Sequence, residues 1–100
     1  MAKQSIIQRQ LKREKLVSKY AAKRVQLMND FYKAGNARGK LNVHKKIEKL
    51  PRDSVQIRLR NRCWKTGRGR GFYRDFGLCR HTIRQMAHNC VLPGLYKASW

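Results

Sequence analysis

From Ser5 to about Tyr32 the apolar residues Ile7, Leu11, Val17, Ala21, Val25, Met28 and Tyr32 recur mostly at spacings of three and four, with one irregularity between Leu11 and Val17. That period predicts a long amphipathic helix. Lys12, Arg13, Lys15, Lys19, Lys23 and Arg24 occupy much of its remaining surface, so the helix is basic. Ser5 suits the N-cap and Gly35 the residue just past the end. The apolar stripe is thin, and packing on the rest of the chain or on another protein would satisfy it equally well. Asn36-Ala37-Arg38-Gly39 reads as a loop, and Val43, Ile47 and Leu50 then mark a short second helix over Lys40–Lys49, ended by Pro51.

Beyond the turn at Pro51–Ser54 the period changes. Val55, Ile57 and Leu59 alternate with Gln56, Arg58 and Arg60, which predicts an extended strand with one apolar and one basic face, in need of a neighbour. Leu78, Thr82, Ile83, Met86, Ala87 and Cys90 fit a third helix, and Leu92-Pro93-Gly94-Leu95 carries proline and glycine in the order of a type II turn. The closing Trp100 suits a packing anchor better than a platform for a base. The expected fold is mainly α with irregular extended segments: a helical extension over residues 1–50, then an extended basic middle and a small C-terminal module over 51–100.

Charge narrows the partner. Lys and Arg number 25 against 5 Asp and Glu, a formal charge of +20 spread from Lys3 to Lys97. Self-repulsion of this size opposes compaction unless a polyanion neutralises it, so the chain is expected to be enveloped by nucleic acid. No stretch approaches the roughly 20 apolar residues of a spanning helix, and a transmembrane role is set aside. The opening residues lack an apolar signal core, which points to a protein acting where it is made or one already mature. Three cysteines, an odd number, fit a reducing compartment better than a secreted disulfide framework.

The densest chemistry lies between Arg58 and Leu78. Arg58, Arg60, Arg62, Lys65, Arg68, Arg70 and Arg74 supply fixed charge and planar forks that bridge phosphate oxygens. Gly67, Gly69 and Gly71 let backbone turn sharply and lie close to a sugar-phosphate chain. Trp64, Phe72, Tyr73 and Phe76 are interleaved with them, suited to stacking on unpaired bases or bracing arginines. A solvated Gly/Arg linker would share the charge but would have no use for the rings, so RNA contact is the better reading.

Metal and catalysis are weaker fits. Cys63 and Cys79 are spaced like the halves of a zinc knuckle, but the partner positions hold Thr66 and Thr82, whose hydroxyls do not replace structural thiolates. A set drawn from Cys63, Cys79, His81, His88 and Cys90 meets no standard spacing, and free, buried or half-buried cysteines are favoured. His44 reads as solvated or facing phosphate. Glu14, Asp30, Glu48, Asp53 and Asp75 are scattered, no nucleophile sits in a recognisable motif, and Gly67–Gly71 lacks the Gly-Lys-Ser/Thr ending of a phosphate-binding loop. Asp75 is expected to order Arg74 or another neighbouring arginine, or to cap the following helix. The chain reads as a non-enzyme without a cofactor, metal or small-molecule substrate.

Several blocks together resemble a known family along nearly the whole chain. They are the opening Met1–Ser5 with Lys19-Tyr20-Ala21-Ala22-Lys23-Arg24, then Leu50–Ser54, Arg60–Cys63, Thr66-Gly67-Arg68, Gly71–Leu78, Leu92–Leu95 and Lys97-Ala98-Ser99-Trp100. The pattern resembles small-subunit ribosomal protein number fourteen of the bacterial and organellar type. The resemblance implies a protein of the small-subunit head that binds 16S-type ribosomal RNA, supports assembly and the conformation of the decoding region, and neighbours proteins number three, ten and nineteen. Thr66, Thr82 and the long N-terminus look like the zinc-free form, a zinc-ribbon-like module lacking the metal; Cys79 departs towards the zinc type, and Gly69 departs from a commonly found proline. Tyr73–Leu78 with Arg80-His81 and Met86-Ala87-His88 looks plastid-like, implying a chloroplast ribosome in the stroma, with a protist mitochondrion or a bacterial cytoplasm as alternatives.

The residues expected to meet ribosomal RNA are Arg58, Arg60, Arg62, Trp64, Lys65, Arg68, Arg70, Tyr73, Arg74, Arg80, Arg84, Lys97 and Trp100. A competing function, a free regulatory nucleic-acid binder built on a degenerate zinc knuckle, predicts stoichiometric metal and a stable fold in isolation. A cationic membrane-active peptide would need a continuous amphipathic helix, which the turn signals of the C-terminal half break.

Overall fold

The computed structural model describes residues 1–99. The elements run α1 (Gln4–Lys33), α2 (Ala37–Glu48), two single 3-10 turns (Arg52–Ser54 and Gln56–Arg58), β1 (Phe72–Tyr73), β2 (Leu78–Cys79) and α3 (Arg80–His88). The fold is therefore mainly helical, with one small two-stranded sheet and extended segments. No described helix is long and apolar enough to cross a membrane. Two compact units are present, one formed by Gln8–Leu59 and the other by Met1–Ile7 together with the chain from Arg60 onward.

In the unit Gln8–Leu59, the face that α1 buries differs from the one its apolar spacing predicts. Gln10, Arg13, Leu16, Val17, Tyr20, Arg24, Leu27 and Phe31 are buried or half-buried, while Leu11, Val25, Met28 and Tyr32 are exposed. The buried stripe is displaced by about one residue, roughly 100° around the helix. Polar tertiary bonds select it. Arg24 donates from Nε and Nη2 to Ser54 Oγ, at 3.1 and 2.9 Å, and Arg13 Nε reaches Asp53 Oδ1 at 3.3 Å. These arginines, expected on the solvated surface, tie the helix to the turn after Pro51, and Ser54 ends 1 % exposed.

The helix boundaries also move. α1 begins before Ser5, with Lys3 O accepting the N–H groups of Ile6 and Ile7, and Gly35 does not adopt the left-handed conformation of a C-terminal cap. α2 starts at Ala37, so three of the four residues read as a loop are helical and Asn36 is the N-cap, without a side-chain cap bond. The inward positions of α2, Val43 and Ile47, and the buried Leu50 match the spacing. His44 Nδ1 lies 3.1 Å from Glu48 Oε1.

The expected strand at Val55–Arg60 does not form. Its alternation is overridden by the 3-10 turns at Arg52–Ser54 and Gln56–Arg58, and Ile57, on the supposed apolar face, is 89 % exposed. A lone strand leaves one row of backbone groups unpaired, and no partner strand is available in this unit. Arg58 instead bends back to Asp53 Oδ1 at 3.2 Å. The Arg58 hydrogen bond and then the nearby Arg13 charge hold the Asp53 carboxyl below its usual range, although desolvation works against them.

The other unit is a small knuckle. β1 and β2 pair antiparallel with Phe72 opposite Cys79 and Tyr73 opposite Leu78. Gly77, at φ 66°, closes the hairpin by donating to Tyr73 O at 2.9 Å. A second tight loop runs from Cys63 to Arg68, where Gly67 N donates to Cys63 O at 2.7 Å and Cys63 N to Arg68 O at 3.0 Å. Trp64 N joins the two by donating to Gly77 O at 3.3 Å. Cys63, Leu78 and Cys79 form the core, with Ile83 and Met86 of α3 packed on it. Helix α3 matches the predicted spacing from Thr82 to Ala87 but is shorter at both ends: Leu78, expected within it, pairs in β2, and the helix stops at His88, short of Cys90. Gly94, at φ 70°, occupies the position that a type II turn after Pro93 requires.

Candidate nucleic-acid interface

The two tight loops of the knuckle bring together the four residues at the zinc-like spacing. Cys63 Sγ lies 3.7 Å and Cys79 Sγ 3.2 Å from the same Thr82 Oγ1, and Thr66 Oγ1 lies 3.7 Å from Cys79 Sγ. Burial pushes the Cys63 thiol up, but the Thr66 hydroxyl, the backbone N–H groups of Cys79 and Thr66 and the Thr82 hydroxyl outweigh it and lower the thiol to about 6. Cys79 is lowered as well: its burial, opposed first by the Thr82 hydroxyl and then by backbone and Thr66 donors, is reinforced by the competing Cys63 sulfur. Two sulfurs and two hydroxyls are a poor donor set for structural zinc, and among the described residues no group of three or more His, Cys, Asp or Glu side chains is arranged to hold a metal. Hydrogen bonds centred on Thr82 do the cross-linking here. Cys90 is exposed and apart from this cluster.

Around this knuckle the arginines divide into groups. Arg60, Arg62, Arg68 and Arg70 line one open cavity of about 320 Å³ together with Met1, Ala2 and Gly69. Arg60 Nε donates to Gly69 O at 2.9 Å and Arg62 Nη1 to Gly67 O at 3.0 Å, so backbone carbonyls of the Gly/Arg loop orient the guanidinium groups. A Cβ on Gly69 would stand 2.9 Å from Arg60 Nε, so a residue with one would require that flexible guanidinium to shift. The Nε atoms of Arg62 and Arg68 are buried without a hydrogen-bond partner. Among the described residues, every ion pair lies elsewhere, at Arg13, His44 and Arg58. Four guanidinium groups and no carboxylate make a site for an anion, since water and mutual repulsion alone would disperse them.

Tyr73, Arg80, Arg84 and Lys97 line a second cavity, with Phe76 and Tyr96 among its other walls. Arg80 lies along Gly71, its Cγ and Cδ 3.3 Å from where a Cβ would be, and its backbone N–H donates to Gly71 O at 2.8 Å. Trp64 is 70 % exposed beside Gly77, and Lys65 and Arg74 are exposed outside both cavities. Arg58 belongs to the other unit, where Asp53 engages it. Asp75 is exposed, forms none of the ion pairs among the described residues, and is not the cap of α3, whose N-cap is Cys79; the expectation that it orders an arginine or caps the helix is not met. Trp100 lies outside the described residues. Phe76 is among the rings the sequence marks as suited to stacking, but Tyr96 is not: their common cavity is made by a hairpin and a turn distant along the chain, which no local pattern signals.

Comparison with known proteins gives consistent results. The family "Ribosomal protein S14p/S29e" matches residues 46–99. The chain is 56 % identical to small ribosomal subunit protein uS14c of Guillardia theta, 58 % to uS14 of Prochlorococcus marinus strain MIT 9301 and 58 % to uS14c of Emiliania huxleyi, in each case over the whole length of both chains.

Proposed function

Because the chain belongs to the family of small ribosomal subunit protein uS14, whose members are structural ribosomal proteins and not enzymes, we propose that it binds 16S-type ribosomal RNA in the head of the small subunit and supports assembly and the shape of the decoding region. The observation that carries this proposal is the carboxylate-free cluster of Arg60, Arg62, Arg68 and Arg70, with two buried Nε–H donors left unused. Phosphate oxygens are the acceptors such a cluster calls for, and a guanidinium fork donates to them bidentately. In this proposal residues 51–100 are the RNA-binding module and 1–50 a helical extension. Arg58, Trp64, Lys65, Tyr73, Arg74, Arg80, Arg84, Lys97 and Trp100 add contacts around the cluster.

The knuckle is read as a zinc-ribbon-like module in which Thr66 and Thr82 have replaced two metal ligands by hydrogen bonds. The exposed apolar residues of α1, Leu11, Val25, Met28 and Tyr32, are assigned to a neighbouring head protein, for which numbers three, ten and nineteen are the candidates. Relatives of both the plastid and the cyanobacterial type support a bacterial-type ribosome, and the chloroplast stroma is the preferred location.

The test is the double substitution Arg68→Gln/Arg70→Gln, followed by incorporation into small subunits and by binding to 16S-type RNA at several salt concentrations. Incorporation should fall, and the slope of log affinity against log salt should shrink by roughly one for each phosphate contact removed. Undiminished incorporation with an unchanged slope would refute the proposal.

A further inference from the structure

The arginine-lined cavity and the aromatic cavity of the knuckle unit differ in chemistry. The aromatic cavity, of about 290 Å³, is walled by the rings of Tyr73, Phe76 and Tyr96 and bordered by Arg80, Arg84 and Lys97, with no carboxylate in its lining. Ile83 contributes apolar surface and also packs on the buried core, so this wall is anchored. The rings are not consumed in packing: Tyr73 is 53 %, Phe76 39 % and Tyr96 93 % exposed. Three exposed rings beside three cations suit a ligand that is both flat and anionic, because an apolar surface of this kind gains by being covered and the cations gain by meeting an anion.

We propose that this cavity receives one unpaired nucleotide of the RNA partner, its base against Tyr73, Phe76 and Tyr96 and its phosphates on Arg80, Arg84 and Lys97. The inference rests on the proposed RNA binding and deepens it. Two features of the cavity select a nucleotide. The volume lies at the small end of the range for ligand sites, enough for a single flat ring system. Charge complementarity supplies the second: a flat apolar face flanked by negative charge is what a splayed-out nucleotide presents, and every base has a π-face that aromatic side chains can hold. A peptide segment would have to combine an aromatic residue with closely placed acids to match the same lining. In a duplex the bases are stacked and unavailable, so the ligand is single-stranded, at a loop, bulge or end.

The arginine cavity and this one therefore have separable signatures. Phosphate contacts, at Arg68 and Arg70 as at Arg80, Arg84 and Lys97, set the salt slope, whereas the stacking contributed by the rings alone depends far less on salt. The full-length chain should be bound to purified 16S-type RNA over a salt series as wild type, as Phe76→Leu/Tyr96→Leu and as Tyr96→Leu alone. Tyr96 is almost fully exposed, so the single variant leaves the core untouched. The double variant should weaken binding by about 10-fold or more with the wild-type slope retained, and the single variant by a smaller factor in the same sense. Ultraviolet irradiation of the wild-type complex, followed by nuclease digestion and mass spectrometry, should find a single nucleotide attached to a peptide containing Tyr73, Phe76 or Tyr96.

Wild-type affinity in both variants, or cross-links from these rings to a neighbouring protein instead of a nucleotide, would overturn the pocket assignment while leaving RNA binding intact. A wild-type chain with no affinity for the RNA would overturn the underlying proposal and this one with it.

Discussion

Thr82 places one hydroxyl within reach of both buried sulfurs of the knuckle. The Cys63 thiol is raised by its burial but lowered further by the Thr66 hydroxyl, backbone donors and the Thr82 hydroxyl, from an ordinary 9.0 to about 6 in the folded chain. Its folded value is the lower one, so its contribution to stability is fully present above about 9 and is lost as the pH falls through about 6. We predict that Thr82→Val raises the Cys63 titration towards the ordinary thiol range, narrows that window and costs roughly 1 kcal/mol, as loss of a hydrogen bond would. Thiolate absorbance against pH for the wild type and the variant measures it; an unmoved titration would mean that the Thr66 hydroxyl and the backbone donors hold the charge without Thr82. The cysteine and threonine spacing was legible in the sequence, but the pairing of sulfur with hydroxyl was not, because it depends on two loops folding over one another.

At the scale of elements, loop geometry and polar anchors decide more than hydrophobic period does. Gly67 shows the first. It sits at φ 72°, and a Cβ there would stand 2.8 Å from Ile7 Cδ1. Gly67→Ala should destabilise the Cys63–Arg68 loop by about 1–2 kcal/mol, the cost of holding an L-residue in the left-handed region, with Ile7 forced to give way in addition. Urea unfolding of the purified chain in a high-salt, charge-screening buffer measures the loss. Helix α1 shows the second. Its existence and extent were plain from the three-and-four spacing, whereas its inward face was misassigned because Arg13 and Arg24 found partners at Asp53 and Ser54. The same anchors, with Arg58, draw the Pro51–Arg58 segment into turns and leave no row of backbone groups for a strand.

For the whole molecule, a charge of +20 is set against a core of Cys63, Leu78 and Cys79 with Ile83 and Met86 beside it. Repulsion should therefore limit the isolated chain more than lost ion pairs do, since those among the described residues are few and partly exposed. We predict that adding salt raises the thermal midpoint of the purified chain, with each 1 kcal/mol of relieved repulsion worth about 4–8 °C. A midpoint that falls with salt would show that specific ion pairs dominate. On the proposed RNA binding, the polyanion would relieve the same repulsion as salt, with the two cavities of the knuckle as its proposed points of contact.

What the amino-acid order determined by itself is the basic character of the chain, the three helices and the suitability of the Arg58–Leu78 stretch for RNA, because period and charge are local properties. Motif spacing also carried the family, since its blocks survive along the whole chain. Tertiary structure alone decided which face α1 buries, that Val55–Arg60 turns instead of extending, and which arginines and rings share a cavity. Those outcomes depend on partners far apart in the chain, Arg24 with Ser54, Cys63 with Thr82 and Tyr73 with Tyr96. A hydrogen bond or a common wall of that kind has no periodic trace in the sequence.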